Sequence, residues 1–127
     1  MKIRNPTLVA LLVALALLTA CGASGPSVTV KKFYGYLQAD KAEGALSLIS
    51  TKFIDTYGRP KLLQLLQTGI QDIKDKGGVR SVKIQKQTIE GDSAVVTSVI
   101  TYGNGAETSE TSPLIKEEGR WKLAPTK

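Results

Sequence analysis

The sequence predicts an α+β domain, with helices in its first half and an antiparallel meander in its second. Three observations lead there. Apolar residues recur at helical spacing from Val30 to Ile73, the texture changes to period two at Val79, and glycine-bearing turns divide the remainder into short β-prone segments. With 127 residues, 42% hydrophobic and 22% charged, the chain has room for one ordinary core.

The first helix is read from Val30, Phe33, Tyr34 and Leu37, which fall at i, i+3, i+4 and i+7 and make one apolar stripe. Ser27 is its expected N-cap. Gly35 sits inside it at a cost of about 1 kcal/mol relative to alanine. A second helix is expected to start at Asp40, with Glu43 completing a capping box and Ala42, Ala45, Leu46 and Ile49 as its apolar face. Residues 51–58 hold Phe53, Ile54 and Tyr57 without a clean period and are left unassigned. Pro60 suits the first turn of a third helix, whose stripe is Leu62, Leu65, Leu66, Gly69 and Ile73, widened by Leu63 and Ile70. Gly77-Gly78 ends it, with Lys74 and Lys76 in the last turn, where the helix dipole favours cations.

The strand half begins with Val82 and Ile84 alternating against Ser81, Lys83 and Gln85. Gly91-Asp92 turns the chain. Residues 94–102 carry apolar side chains on both faces, Val96 and Ile100 on one and Val95 and Val99 on the other, which marks an interior strand. Gly103-Asn104-Gly105 is a second turn. Residues 106–116 are polar apart from Leu114 and Ile115, and Pro113 argues for an edge or a bulge. Glu118-Gly119 turns again, and Trp121 and Leu123 share one face of the closing strand.

The start of the chain is an address. Lys2 and Arg4 form a short positive region, and residues 8–18 are an unbroken aliphatic run of eleven. A spanning helix needs about 20 apolar residues, so this run has the length of a signal-peptide core. Leu18-Thr19-Ala20-Cys21 resembles the bacterial lipobox. The resemblance implies cleavage between Ala20 and Cys21, with a diacylglyceryl group on the Cys21 sulfur and often acylation of the new amino terminus; two or three chains anchor stably where one does not. Residues 1–20 are then the leader, 21–27 a lipidated Gly/Ser-rich tether, and 28–127 the domain. Gly22, where an Asp would retain an enteric lipoprotein at the inner membrane, favours the outer membrane if the host is Gram-negative; the expected place is the cell envelope, at the periplasmic face.

Cys21 is the single cysteine, so no internal disulfide is expected. The charge of +6 falls to +4 once Lys2 and Arg4 leave with the leader. Much of the surplus sits in Lys74, Lys76, Arg80, Lys83 and Lys86, read as a solvated helix end and one wet strand face, with a surface for anionic headgroups as the alternative. No nucleic-acid motif accompanies the bases, so no nucleic-acid partner is expected.

A family resemblance covers residues 28–124. Phe33-Tyr34-Gly35-Tyr36-Leu37 followed by Asp40-Lys41-Ala42 resembles the opening helix pair of nuclear-transport-factor-2-like domains. Lys116-Glu117-Glu118-Gly119-Arg120-Trp121-Lys122-Leu123 is similar to their last hairpin, where an acidic-Gly turn precedes a buried Trp. The chain looks in particular like small bacterial lipoproteins of a lumazine-binding-like branch within the cystatin-like fold. The resemblance implies a curved sheet of about four strands with the helices in its concave face, making a cone. Some members use the interior as a pocket, and others fill it or dimerise through the sheet, so fold does not settle function.

Chemistry is sparse. There is no His, the usual proton carrier near neutrality, and the only thiol is expected to be lipidated. The usual zinc or haem ligands are missing, and no metal or cofactor is expected. Asp55, two residues before Tyr57 and four before Arg59, is the nearest to a general base, although an Asp so placed more often caps a helix or pairs with an Arg. Gly77-Gly78 follows a helix instead of opening one, so it is no phosphate cradle. Five aromatics are the candidate pocket lining: Tyr57, Trp121, Phe33, Tyr36 and Tyr102, with core packing as their commoner role. The expected function is a non-enzymatic, membrane-tethered domain that binds a small ligand or an envelope protein, with a homodimer through the outer sheet face as one partner arrangement. The alternatives are an isomerase- or hydrolase-type enzyme using the cone, and a purely structural lipoprotein.

Overall fold

The computed structural model describes residues 25–125; the expected leader, the expected cleavage and lipidation site at Ala20 and Cys21, and the start of the expected tether lie outside them. Four helices precede four strands: α1 Pro26–Gln38, α2 Ala42–Leu46, α3 Thr51–Tyr57, α4 Arg59–Asp75, β1 Val79–Glu90, β2 Ser93–Tyr102, β3 Glu107–Glu117 and β4 Arg120–Leu123. The strands lie in the order β1-β2-β3-β4, each antiparallel to its neighbour. This is the expected α+β architecture, with the helices on one face of the sheet.

The inner face of β2 presents Ala94, Val96, Ser98, Ile100 and Tyr102, all buried, while Val95, Thr97, Val99 and Thr101 alternate outward. Leu114, Trp121 and Leu123 extend that inner surface into β3 and β4, and Val30, Leu37, Leu46, Leu66, Ile70 and Ile73 pack onto it from the helices. Each such side chain contributes about 1.5–3 kcal/mol when fully buried. The centre of the cone is therefore packed.

Several local expectations are corrected. Ser27 does not cap α1: Gly25 is the N-cap and Pro26 opens the helix, two residues ahead of the expected domain start. Ser27 instead donates its backbone N–H and its hydroxyl to the Gln87 side chain, tying α1 to β1. Nor does Asp40 cap α2. It adopts a left-handed φ of 60°, α2 starts at Ala42 behind Lys41, and the Asp40 carboxylate accepts Lys74 Nζ at 2.7 Å. Glu43 closes no capping box and pairs with Arg59. A local cap motif has yielded in both cases to ion pairs with α4.

Residues 51–57, which lack a helical period, form α3. Its first turn is capped from outside: one Glu117 carboxylate oxygen accepts the Thr51 N–H at 3.1 Å and its hydroxyl at 3.0 Å, and the other accepts the Ser50 hydroxyl at 2.6 Å. The Glu117 carboxyl is held below the usual carboxylate range, chiefly by the Ser50 hydroxyl; burial opposes this, and the Thr51 N–H and hydroxyl and the Lys122 charge reinforce it. Gly58, at φ 89°, ends α3 and starts α4.

Pro113 sits in β3 with its Cα opposite Val95, one residue before β4 begins to pair at Leu114; β3 passes it with unbroken register against β2. It lies where the outer edge of β3 starts to be covered, and its carbonyl accepts the Ala124 N–H at 2.9 Å. The bulges are in β1 instead, at Arg80 and Gln85, and the second brings Gln87 and Ile89 into phase with inward-facing Val96 and Ala94. Two glycine turns dock at the far end of the sheet. Gly103 N–H donates to the Gly78 carbonyl and Asn104 N–H to that of Lys76, both at 2.8 Å.

Candidate functional site

The bases read as a solvated helix end and a wet strand face lie at the surface, with Lys74, Arg80, Lys83 and Lys86 exposed and Lys76 half-buried. Lys74 pairs with Asp40 and Lys76 with Asp72, while an Arg80 N–H donates to the Gly103 carbonyl at 2.9 Å. The Lys76 ammonium is made harder to deprotonate, chiefly by its hydrogen bond to Asp72, and it lies 4.8 Å above the Tyr102 ring.

The main apolar depression lies where α1, α3, α4 and the end of the chain meet. Phe33 comes from α1, Ile49 from the segment before α3, Phe53 and Tyr57 from α3, and Leu62, Leu65 and Leu66 from α4, with Pro125 closing one side. Lys61 is the only charged residue in this lining, and the volume is about 440 Å³. Phe53 and Tyr57 face each other with ring centroids 4.4 Å apart, one helical turn from each other. Leu65 is 58% exposed, which is unusual for a leucine in an apolar stripe and places it on the rim.

A smaller hollow of about 210 Å³ adjoins it, sharing Phe33, Ile49 and Pro125 and adding Val30, Tyr34, Leu123 and the β3 edge from Glu110 to Pro113. Tyr34 packs edge-on against Phe33 at 5.7 Å. Its hydroxyl is pushed well above the usual phenol range by burial first, then by the Glu110 carboxylate and Tyr102. It is therefore a protonated hydroxyl at any physiological pH. Together the two hollows form a groove with an apolar floor and a few polar groups along one lip, as ligand sites commonly have.

Of the five aromatics singled out in the sequence, Phe33 and Tyr57 meet in this groove. Tyr36 and Trp121 line a different cleft, about 470 Å³, between the start of α1 and the β3–β4 turn, together with Thr29, Lys32, Ser47, Arg120 and Lys122. There the Thr29 hydroxyl donates to the Trp121 carbonyl at 3.1 Å, and Tyr36 packs so closely on Gly44 that a Cβ would sit 2.5 Å from its ring. Tyr102 belongs to the core, 7% exposed. Asp55 is exposed on α3, and the arginine expected to partner it is taken by Glu43. Sequence reading missed Phe53, Leu65 and Pro125 as groove residues. In the sequence Leu65 stands simply as a member of the apolar α4 stripe, with nothing to mark it as a rim residue.

The helices cupped in an antiparallel sheet with a rim groove make this a nuclear-transport-factor-2-like α+β fold. Among solved structures, a protein from Campylobacter jejuni provisionally described as a nuclear-transport-factor-2-like transpeptidase superposes with a TM-score of 0.72 at 23% identity, over 81% of this chain and all of the other. A SEC-C motif-containing protein from Rhodopseudomonas palustris superposes with a TM-score of 0.62 at 14% identity, over 81% of this chain and 77% of the other. No family model and no curated protein sequence matches the chain.

Proposed function

We propose that the chain is a lipid-anchored envelope protein, held in the membrane through Cys21, whose domain binds an apolar ligand in the groove between Phe33, Phe53, Tyr57 and Leu65. The groove is the observation that carries this reading. Its walls are apolar while its rim offers Lys61, Tyr34 and Glu110, which suits a ligand with a hydrocarbon body and a polar end. The lipobox supports the anchor, and Gly22 supports an outer-membrane address where the host has one.

A binding role is favoured over catalysis because nothing reactive converges on the groove. The chain has no His, and no Ser stands three residues before a Lys, the spacing that serine transpeptidases and penicillin-binding proteins use. The transpeptidase description belongs to the Campylobacter protein.

The test is a fluorescence titration of the mature chain with an environment-sensitive naphthalene dye, competed by a medium-chain alkyl amphiphile. Leu65→Glu, on the rim and largely exposed, is expected to weaken dye binding about tenfold through a charge set against hydrocarbon, with the melting temperature unchanged. Equal dye affinity in the two proteins would remove the groove from consideration.

A further inference from the structure

The cleft between the start of α1 and the β3–β4 turn is basic, whereas the groove carries one base, Lys61, and one acid, Glu110. Lys32, Arg120 and Lys122 all line it, and no carboxylate does. Lys122 spends one of its three N–H donors on the Ser47 carbonyl, 2.5 Å away, leaving two. Acids border it in adjoining depressions: Glu117, already bonded to Ser50 and Thr51, and Glu118 beside Arg120 and Lys122, and Glu43, paired with Arg59, beside Lys122. Gly25, the N-cap of α1, forms part of the same lining.

That last position decides the partner. Three residues separate Cys21 from Gly25, and the four backbone steps between them, fully extended, reach no more than roughly 14 Å. A domain whose Cys21 carries lipid therefore holds the Gly25 side within about that distance of the headgroup layer. The Debye length at physiological salt is roughly 8 Å, so bases on that side feel the surface charge while those on the far side of the sheet do not. We propose that this cleft faces the membrane and takes the phosphate of anionic lipid headgroups through Lys32, Arg120 and Lys122, fixing the orientation of the domain so that the bilayer lies against the α1 start. The inference rests on the anchoring reading, and not on the groove.

Trp121 lines the cleft and is the single tryptophan of the chain, so its emission reports on this place alone. The experiment uses the mature protein recovered from bacterial membranes, its mass recorded first. It is then reconstituted into phosphatidylcholine vesicles with or without phosphatidylglycerol, each carrying a nitroxide quencher on the headgroup. Stronger quenching of Trp121 is expected in the anionic vesicles, reduced about fivefold in apparent affinity by Lys32→Gln or Arg120→Gln and lost at high salt. An acylated mass with equal quenching in both vesicles overturns this inference and leaves the anchor standing. An unlipidated mass overturns the anchor and this orientation with it. If inorganic phosphate alone in detergent shifts Trp121 emission with the same dependence on both bases, and the two vesicles quench equally, the cleft serves a soluble phosphate and the membrane assignment is wrong.

Discussion

The Glu117 carboxylate caps the N-terminus of α3 by accepting the Thr51 N–H across 66 positions of sequence. A helix that owes its first turn to a strand forms only when the sheet forms. Replacing Glu117 with Ala is expected to cost about 1 kcal/mol at neutral pH, as for the loss of an ordinary N-cap.

The same contact sets a pH dependence. The folded Glu117 carboxyl titrates below its ordinary value of about 4.3, so its contribution is complete above that value and is lost as pH falls through the lower, folded pKa. Urea denaturation of the native protein and Glu117→Ala should differ at pH 7 and converge as pH falls below the ordinary carboxylate range. A difference unchanged by acid would mean that the carboxylate charge has no part in the cap.

Two glycines are expected to respond in opposite directions to alanine. A Cβ on Gly103 would overlap the backbone of Gly77 where the two turns dock, so Gly103→Ala should lose about 2 kcal/mol. Gly35 lies inside α1 with nothing within 4 Å of a built Cβ, and Gly35→Ala should gain about 1 kcal/mol. Thermal melts of the two variants check both signs.

Ser98 carries the one buried side-chain hydroxyl without a hydrogen-bond partner among the described residues. Removing an unpaired buried polar group relieves its desolvation cost, so Ser98→Ala should be neutral or more stable by up to about 1 kcal/mol. A loss above that size, seen in chemical denaturation, would show that the hydroxyl has a partner in solution.

Cys21→Ser bears on the anchor itself. Oxygen cannot take the thioether-linked lipid, so the variant is expected to remain uncleaved and to lack the diacylglyceryl mass, as read by mass spectrometry of membrane and soluble fractions. Normal processing with unchanged membrane retention would contradict the anchoring reading.

Much of the fold was legible because the long elements follow simple periods. The stripe of α4 and the two-faced pattern of β2 each identify their element without tertiary help. What escaped depends on distant partners. Residues 51–57 lack a period because α3 fully buries no side chain, and their cap comes from distant Glu117; the box at Asp40 and Glu43 failed because Lys74 and Arg59 offer those carboxylates ion pairs. The bulge at Gln85 breaks the alternation of β1, so Gln87 and Ile89 could not be assigned a face. The groove escaped for the same reason: its wall residues come from five separate stretches, and Phe53 and Leu65 look like core until those stretches are assembled.

The groove is tested most directly by methyl and aromatic chemical-shift mapping of the mature domain titrated with a medium-chain alkyl amphiphile below its micelle concentration. Shifts concentrated on Phe33, Phe53, Tyr57, Leu62 and Leu65 are the predicted result. Shifts confined to the outer sheet face around Val95 and Val99, with the groove signals unmoved, would contradict it.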